Sequence, residues 1–223
     1  MALVKEKYPK IRFEITTRAS VVSKKIALLF HKAGITRCDL GMETMSQTEL
    51  ASVRKDMRGE QLKRAVKYLA EANIETKLFH ITFPGKISIP TIEFLLELST
   101  SEVPFLVQSA YLRSIPNPQS PPFFSEQDQK VFCKKSDSIE QIMEWVLVNL
   151  AFRSTNTFLN EPCFQDNLRE ALIRGDDLRS FFDIPQPNNK MTLILNLEFE
   201  GRRYFFRHIR KAPFMRCFKV ESA

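Results

Sequence analysis

Over its first 115 residues the chain switches repeatedly between two hydrophobic periods. "KIRFEITT" (10–17) alternates apolar and polar positions and is rich in β-formers, which predicts a strand. "SVVSKKIALLFHKAG" (20–34) follows with Val22, Ile26, Leu29, Phe30 and Ala33 at helical spacing. Ser20 stands where a cap belongs, and Gly34 where a C′ glycine does. "ITRCDLGME" (35–43) predicts a second strand. "SQTELASVRK" (46–55) predicts a short helix capped by Ser46, with Glu49 at the capping-box position. "RGEQLKRAVKYLAEAN" (58–73) gathers Leu62, Ala65, Val66, Leu69 and Ala72 on one face and ends on Asn73, a suitable left-handed terminator. "ETKLFHITF" (75–83) is a third strand, "IPTIEFLLELST" (89–100) a helix with Pro90 in its first turn, and "FLVQSAYLR" (105–113) a fourth strand.

Strands separated by amphipathic helices and short turns imply parallel βα units with right-handed crossovers. The expected fold class is therefore α/β. A partial parallel (β/α) barrel of about four strands and an open sheet both fit the pattern. In βα barrels function sits at the C-terminal strand ends. Here those ends read "TTRAS", "METMS" and "FPGK".

Beyond residue 115 the pattern changes. "SIPNPQSPPFFSEQDQ" (114–129) carries four prolines and no period, and reads as an extended connection. Helices are expected at 138–151 and 163–175, and a short helical turn before Pro185. A β-hairpin is expected at 191–210 around "EFEGRR". The division expected is 1–115, a partial barrel, and 116–223, an α+β C-terminal region.

Composition narrows the function classes. The 223 residues are 43% hydrophobic, enough for a sizeable core, and the six glycines argue against a glycine-rich loop architecture. Cys38, Cys133, Cys163 and Cys217 form no CxxC pair, so a zinc ribbon or a disulfide framework is not expected. No leader-like run opens the sequence, and no segment approaches the ~18 apolar residues of a membrane span. No membrane partner is expected, and the expected compartment is the cytoplasm. The net charge of +7 permits anionic partners. The bias is strongest in "RRYFFRHIRKAPFMRCFK" (202–219), where Arg interleaves with Tyr and Phe. That is a candidate nucleic-acid surface, although a half-buried hairpin with a charged outer face gives the same pattern.

Three motifs carry a family resemblance. They are "IRFEITTRAS", the run "LLFHKAGITRCDLGMETMSQTELASVRKDMRGEQLKRAVKYLAEANI", and "HITFPGK". In order and spacing they resemble the later part of the radical S-adenosylmethionine (SAM) barrel, in the flavour of its cobalamin-associated and methylthiotransferase-like group. The resemblance implies a SAM-binding barrel, a [4Fe–4S] cluster that reduces SAM to start radical chemistry, and compatibility with cobalamin. This sequence contains no CxxxCxxC cluster loop, and Thr82 stands where the family has glycine before "xPG". The cluster is therefore expected on the remaining, N-terminal half of the barrel or on a partner chain. The chain reads as the C-terminal portion of such an enzyme, not active by itself. The alternatives are a non-catalytic barrel-derived partner subunit or a nucleic-acid-binding module.

The resemblance also points to site residues. Glu14, a carboxylate in an otherwise apolar strand, matches a family position that meets the SAM amino group. Arg18, in the loop after that strand, offers a bidentate grip on a carboxylate or phosphate. Glu43 and Thr44, at the end of the second strand, match a position contacting the ribose hydroxyls or the methionine end of SAM. A carboxylate accepts both O–H bonds of a diol. Lys55, twelve residues on, matches a cation for the SAM carboxylate, with Arg54 and Arg58 as neighbours. His80 in the third strand reads as a satisfied core histidine, and His31 and Cys38 as structural.

Overall fold

The computed structural model describes residues 7–8, 10–52, 55, 57–83, 86–101, 103–111, 139–152, 164–183, 192–199, 202–209 and 215–222. The proline-rich stretch at 114–129 lies outside the described residues. So do the side chains of the basic stretch at 202–219, and with them the nucleic-acid expectation.

Four strands, β1 (Phe13–Thr17), β2 (Ile35–Glu43), β3 (Glu75–Thr82) and β4 (Phe105–Tyr111), form one sheet in the order β1-β2-β3-β4, with every neighbouring pair parallel. The order never reverses. In a doubly wound sheet a reversal sends later helices to the opposite face. Without one, right-handed crossovers keep every connection on the same side, as in consecutive units of a βα barrel. The α/β class expected from the sequence is the class found.

The helices of this layer are α1 (Lys24–Lys32), α2 (Gln47–Ser52), α3 (Gly59–Glu71) and α4 (Ile89–Thr100). α3 buries Leu62, Ala65, Val66 and Leu69, the stripe its 3.6-residue period predicts. Each fully buried leucine of this kind contributes about 2 kcal/mol. On the sheet, Cys38 and Leu40 of β2 stand beside Leu78 of β3 and Val107 of β4, all fully buried under the helices. Asp39 and Gly41, with Lys77 and Phe79 beside them in register, belong to the other face. Chain termination follows the sequence closely: Gly34 (φ 84) and Asn73 (φ 55) take the left-handed conformation that ends α1 and α3.

Two local details differ from expectation. Residues 19–21 form a 3₁₀ turn, and α1 starts after Ser23, whose side chain accepts from the Ile26 N–H. The cap is therefore Ser23, and Ser20 belongs to the preceding turn. Glu49 does not close a capping box on Ser46 but binds the Thr44 hydroxyl instead.

Downstream, α5 (Ile139–Ala151) packs on β3 and β4, and α6 (Phe164–Arg174) packs on α4 and α5. Phe164 and Leu168 of α6 join the same core. A second sheet follows, antiparallel, in the order β5 (Phe182–Asp183), β6 (Thr192–Phe199), β7 (Arg202–Ile209), β8 (Met215–Ser222). The expected hairpin is its β6–β7 pair. β5 and β8 were not expected. β8 lacks clean alternation, and Phe182–Asp183 is too short to signal itself. Among the described residues no helix is long and apolar enough to cross a membrane.

Candidate functional site

β2 delivers its polar end through a bulge. Gly41 pairs with Phe79, but Glu43 pairs with His80, so the register slips by one residue at Met42. Met42 is fully buried. Glu43 then takes φ 60, a left-handed conformation that an L-residue with a full side chain adopts at a cost of about 1–2 kcal/mol. Strain of this kind concentrates where a side chain must be aimed. The Glu43 carboxylate folds back over Gly41 and pairs with the ammonium of Lys55.

These groups border a cleft of ≈ 480 Å³ lined by Thr16, Thr17, Arg18, Ala19, Ser20, Gly41, Glu43, Lys55, Met57, Gln61 and Phe79. That volume lies within the ~300–1,000 Å³ range of small-molecule sites. Its position, at the C-terminal ends of β1 and β2, is where parallel βα folds place ligands. The Glu43 side chain is 11% exposed and Lys55 48%. An ion pair so open on one side adds only ~0–1 kcal/mol to stability. The Arg18 side chain is exposed and makes no ion pair or hydrogen bond among the described residues. The cleft thus combines one nearly buried carboxylate, two cations and two large apolar side chains, Met57 and Phe79.

Of the residues singled out from the sequence, the structure brings Arg18, Glu43 and Lys55 together around this cleft. Glu14 lies elsewhere. It is exposed and bonds Arg37 Nη1 at 3.0 Å, and Arg37 also holds Glu75. Thr44 is fully buried and turned away from the cleft mouth into a hydroxyl cluster. Its Oγ1 donates to Glu49 Oε2 at 2.6 Å and lies 3.0 Å from Thr91 Oγ1. Neighbouring residues of an extended chain project to opposite sides, so Glu43 faces the cleft and Thr44 faces Thr91 of α4. Arg58 is exposed at the start of α3, and Arg54 lies outside the described residues.

The cluster behind Thr44 was not legible in the sequence. The Met45 N–H donates to Thr91 Oγ1 at 2.9 Å, and Thr91 Oγ1 lies 2.8 Å from Ser88 Oγ. The Ser88 N–H donates to Glu144 Oε2 at 2.8 Å. Glu144 Oε1 in turn meets His80 Nε2 at 2.9 Å, and His80 Nδ1 meets Ser109 Oγ at 3.0 Å. His80 and Glu144 are each 1% exposed. Ser109, His80 and Glu144 have the composition of a nucleophile–base–acid set. They lie outside the cleft lining, however, and their hydrogen bonds tie α5 to β3, β4 and the start of α4. Burial pushes the Glu49 carboxyl up. The Thr44 hydrogen bond opposes that shift and the nearby Glu144 charge adds to it.

No protein-family model and no curated protein matches the chain. Solved structures do. Two are of TsrM from Kitasatospora setae, a radical S-adenosylmethionine methyltransferase. The one with cobalamin and a [4Fe-4S] cluster bound is 14% identical over 50% of this chain and 23% of that one, with a TM-score of 0.40. The one with tryptophan substrate and the SAM analogue aza-SAM bound is 14% identical over 50% and 22%, with a TM-score of 0.37. A third is archaeal Elp3 from Methanocaldococcus infernus with residues 1–46 deleted. It is 12% identical over 95% of this chain and 62% of that one, with a TM-score of 0.45. The chain spans less than a quarter of the TsrM chains and less than two thirds of the Elp3 chain. At such identities and scores these likenesses carry no function across.

Proposed function

We propose that the cleft binds S-adenosylmethionine and that the chain supplies the SAM- and substrate-facing strands of a radical SAM enzyme. The observation that carries this reading is the meeting of Glu43, Lys55 and Arg18 around one cleft at the C-terminal ends of parallel strands. The motif resemblance at the ends of β1, β2 and β3, which first singled out Glu43 and Lys55, is in line with it.

The donor set fits the ligand. SAM carries an α-carboxylate, an ammonium, a sulfonium, a ribose diol and a flat adenine. Glu43 accepts from the diol or answers a cation, since an ionised carboxylate is acceptor-only. Arg18, uncommitted within the described residues, grips the ligand carboxylate, with Lys55 adding positive charge at the same mouth. Phe79 and Met57 offer apolar surface to adenine.

The cluster does not fit these residues. Among the described residues no group of three His, Cys, Asp or Glu side chains is placed to hold a metal ion. Cys38 is fully buried, and burial pushes its thiol up to about 12, so it does not ionise to a thiolate ligand. On this reading the [4Fe–4S] cluster belongs to protein outside this chain, and methyl transfer with cobalamin or hydrogen abstraction depends on that protein. Anaerobic reconstitution with iron and sulfide tests the division of labour. The chain is expected to bind SAM and to retain no stoichiometric cluster. A four-iron cluster on this chain alone overturns the assignment.

A further inference from the structure

Two successive residues at the end of β2 are held by one short segment. Glu49 of α2 accepts from the Thr44 hydroxyl at 2.6 Å, and Lys55, just beyond α2, pairs with the Glu43 carboxylate. The Lys55 N–H donates to the Leu50 carbonyl at 2.9 Å, which ties the backbone of Lys55 to the residue next to Glu49. The placement of α2 therefore sets the placement of Lys55.

Little else fixes α2. It spans six residues, too few for a helix that is stable by itself in water, and Leu50 is its one buried residue. Burying a leucine is favourable but not directional, so it sets the depth of a helix better than its rotation. A hydrogen bond is directional. Thr44 supplies one from a fixed point. It is fully buried, its Oγ1 accepts from the Ser46 N–H at 3.1 Å, and it lies 3.0 Å from Thr91 Oγ1 of α4. A hydroxyl has a single proton, and an ionised carboxylate only accepts. The Thr44 proton goes to Glu49, which leaves Thr91 as donor to Thr44 and Ser88, 2.8 Å away, as donor to Thr91. The hydroxyls thus run in one direction, from the start of α4 through Thr44 to Glu49.

We propose that Glu49 is a positioning residue for the cleft: by taking the Thr44 proton it orients α2 against α4, and so sets Lys55 against Glu43. Glu49 itself is not part of the cleft lining, so it acts on the cleft only through Lys55 and Glu43. For the ligand the proposal rests on the S-adenosylmethionine reading. The ion pair forms without a ligand, so it gives a second, separate readout.

The test is the reactivity of Lys55 on the whole chain. Limited acetylation with an N-hydroxysuccinimide ester, read by mass spectrometry, gives its rate, with the exposed Lys67 as internal control. An ion-paired ammonium is a poor nucleophile, so loosening the pair speeds the reaction. Glu49→Ala and Thr44→Val are each expected to raise the Lys55 rate about two- to fivefold, the range over which losing a half-exposed ion pair acts. Either variant, shown to be folded by its melt, is enough. Glu49→Gln keeps the acceptor and Thr44→Ser keeps the hydroxyl, and both stay at the parent rate. Glu43→Gln sets the ceiling, and Glu49→Ala raises the rate no further in that background, because the two act through one pair. A merely structural role for Glu49 would lower stability and leave the Lys55 rate unchanged. S-adenosylmethionine affinity is expected to fall at least about threefold in the alanine and valine variants and to hold in the other two. A parent-like Lys55 rate in Glu49→Ala and Thr44→Val overturns the proposal. So does a Glu49→Gln rate as high as that of Glu49→Ala. Rates in the expected order with no S-adenosylmethionine binding by the parent support the positioning role and overturn the ligand reading.

Discussion

The Glu43 carboxylate rests on Gly41: a Cβ placed at residue 41 would stand 2.9 Å from Glu43 Oε1 and 3.8 Å from Lys55 Nζ. Glycine at 41 is what lets the carboxylate fold back to its lysine. Gly41→Ala therefore displaces the flexible end of Glu43 and leaves the backbone in place. The expected result is a folded protein within about 1 kcal/mol of the parent, since ordinary Gly→Ala changes are small. Ligand binding at the cleft is lost. Denaturant melts and a ligand titration on the same sample check both halves.

Glu43 holds φ 60. Replacing it with alanine removes the ion pair and keeps the strain, whereas glycine removes both. Glu43→Gly is expected to be more stable than Glu43→Ala by about 1 kcal/mol, the ordinary left-handed penalty of an L-residue. Equal stabilities would mean that the conformation relaxes without the glutamate.

Glu144 holds His80 with one oxygen and the Ser88 N–H with the other, all of them buried. Glu144→Ala leaves two buried donors or acceptors without partners and is expected to cost about 3–5 kcal/mol. The loss should be read as destabilisation in chemical melts. Cleft affinity, measured where the variant is still folded, should fall far less.

Glu49 gives a pH signature. Its carboxyl is held above the ordinary value near 4.5 by burial, so the folded state binds this proton more tightly than the unfolded chain does. The group's contribution to stability is fully present below the unfolded value and is lost as pH rises through the folded one. Glu49→Gln keeps an acceptor for Thr44 without the charge. It is expected to be more stable than the parent at pH ~7 and indistinguishable from it near pH ~4. A parent more stable than the variant at neutral pH contradicts this reading.

Much of the first sheet was legible because each element carries its own period and its own stop. β2 was expected at 35–43 and spans Ile35–Glu43, and Asn73 ends α3 as a left-handed terminator should. Ser20 and Ser23 were not separable by pattern, because either serine precedes an apolar run. The site was half legible. Arg18 follows the end of β1 and Glu43 ends the neighbouring parallel strand β2, so topology brings them together, and Lys55 reaches Glu43 from just beyond α2. Thr44 follows Glu43 directly, but neighbouring strand residues project to opposite sides, and its hydroxyl partners Ser88 and Thr91 come from a distant part of the chain. The partnership of His80 with Glu144 joins β3 to a helix 64 residues away, and no local signal encodes it.

Recognition of S-adenosylmethionine by the cleft is proposed to rest on Glu43 and Arg18. The decisive measurement is isothermal titration of this chain with S-adenosylmethionine. Saturable 1:1 binding is expected, weakened at least about tenfold by Glu43→Gln and again by Arg18→Ala, as when a charge-assisted hydrogen bond is lost. No saturable binding, or binding unchanged in the double variant, contradicts it.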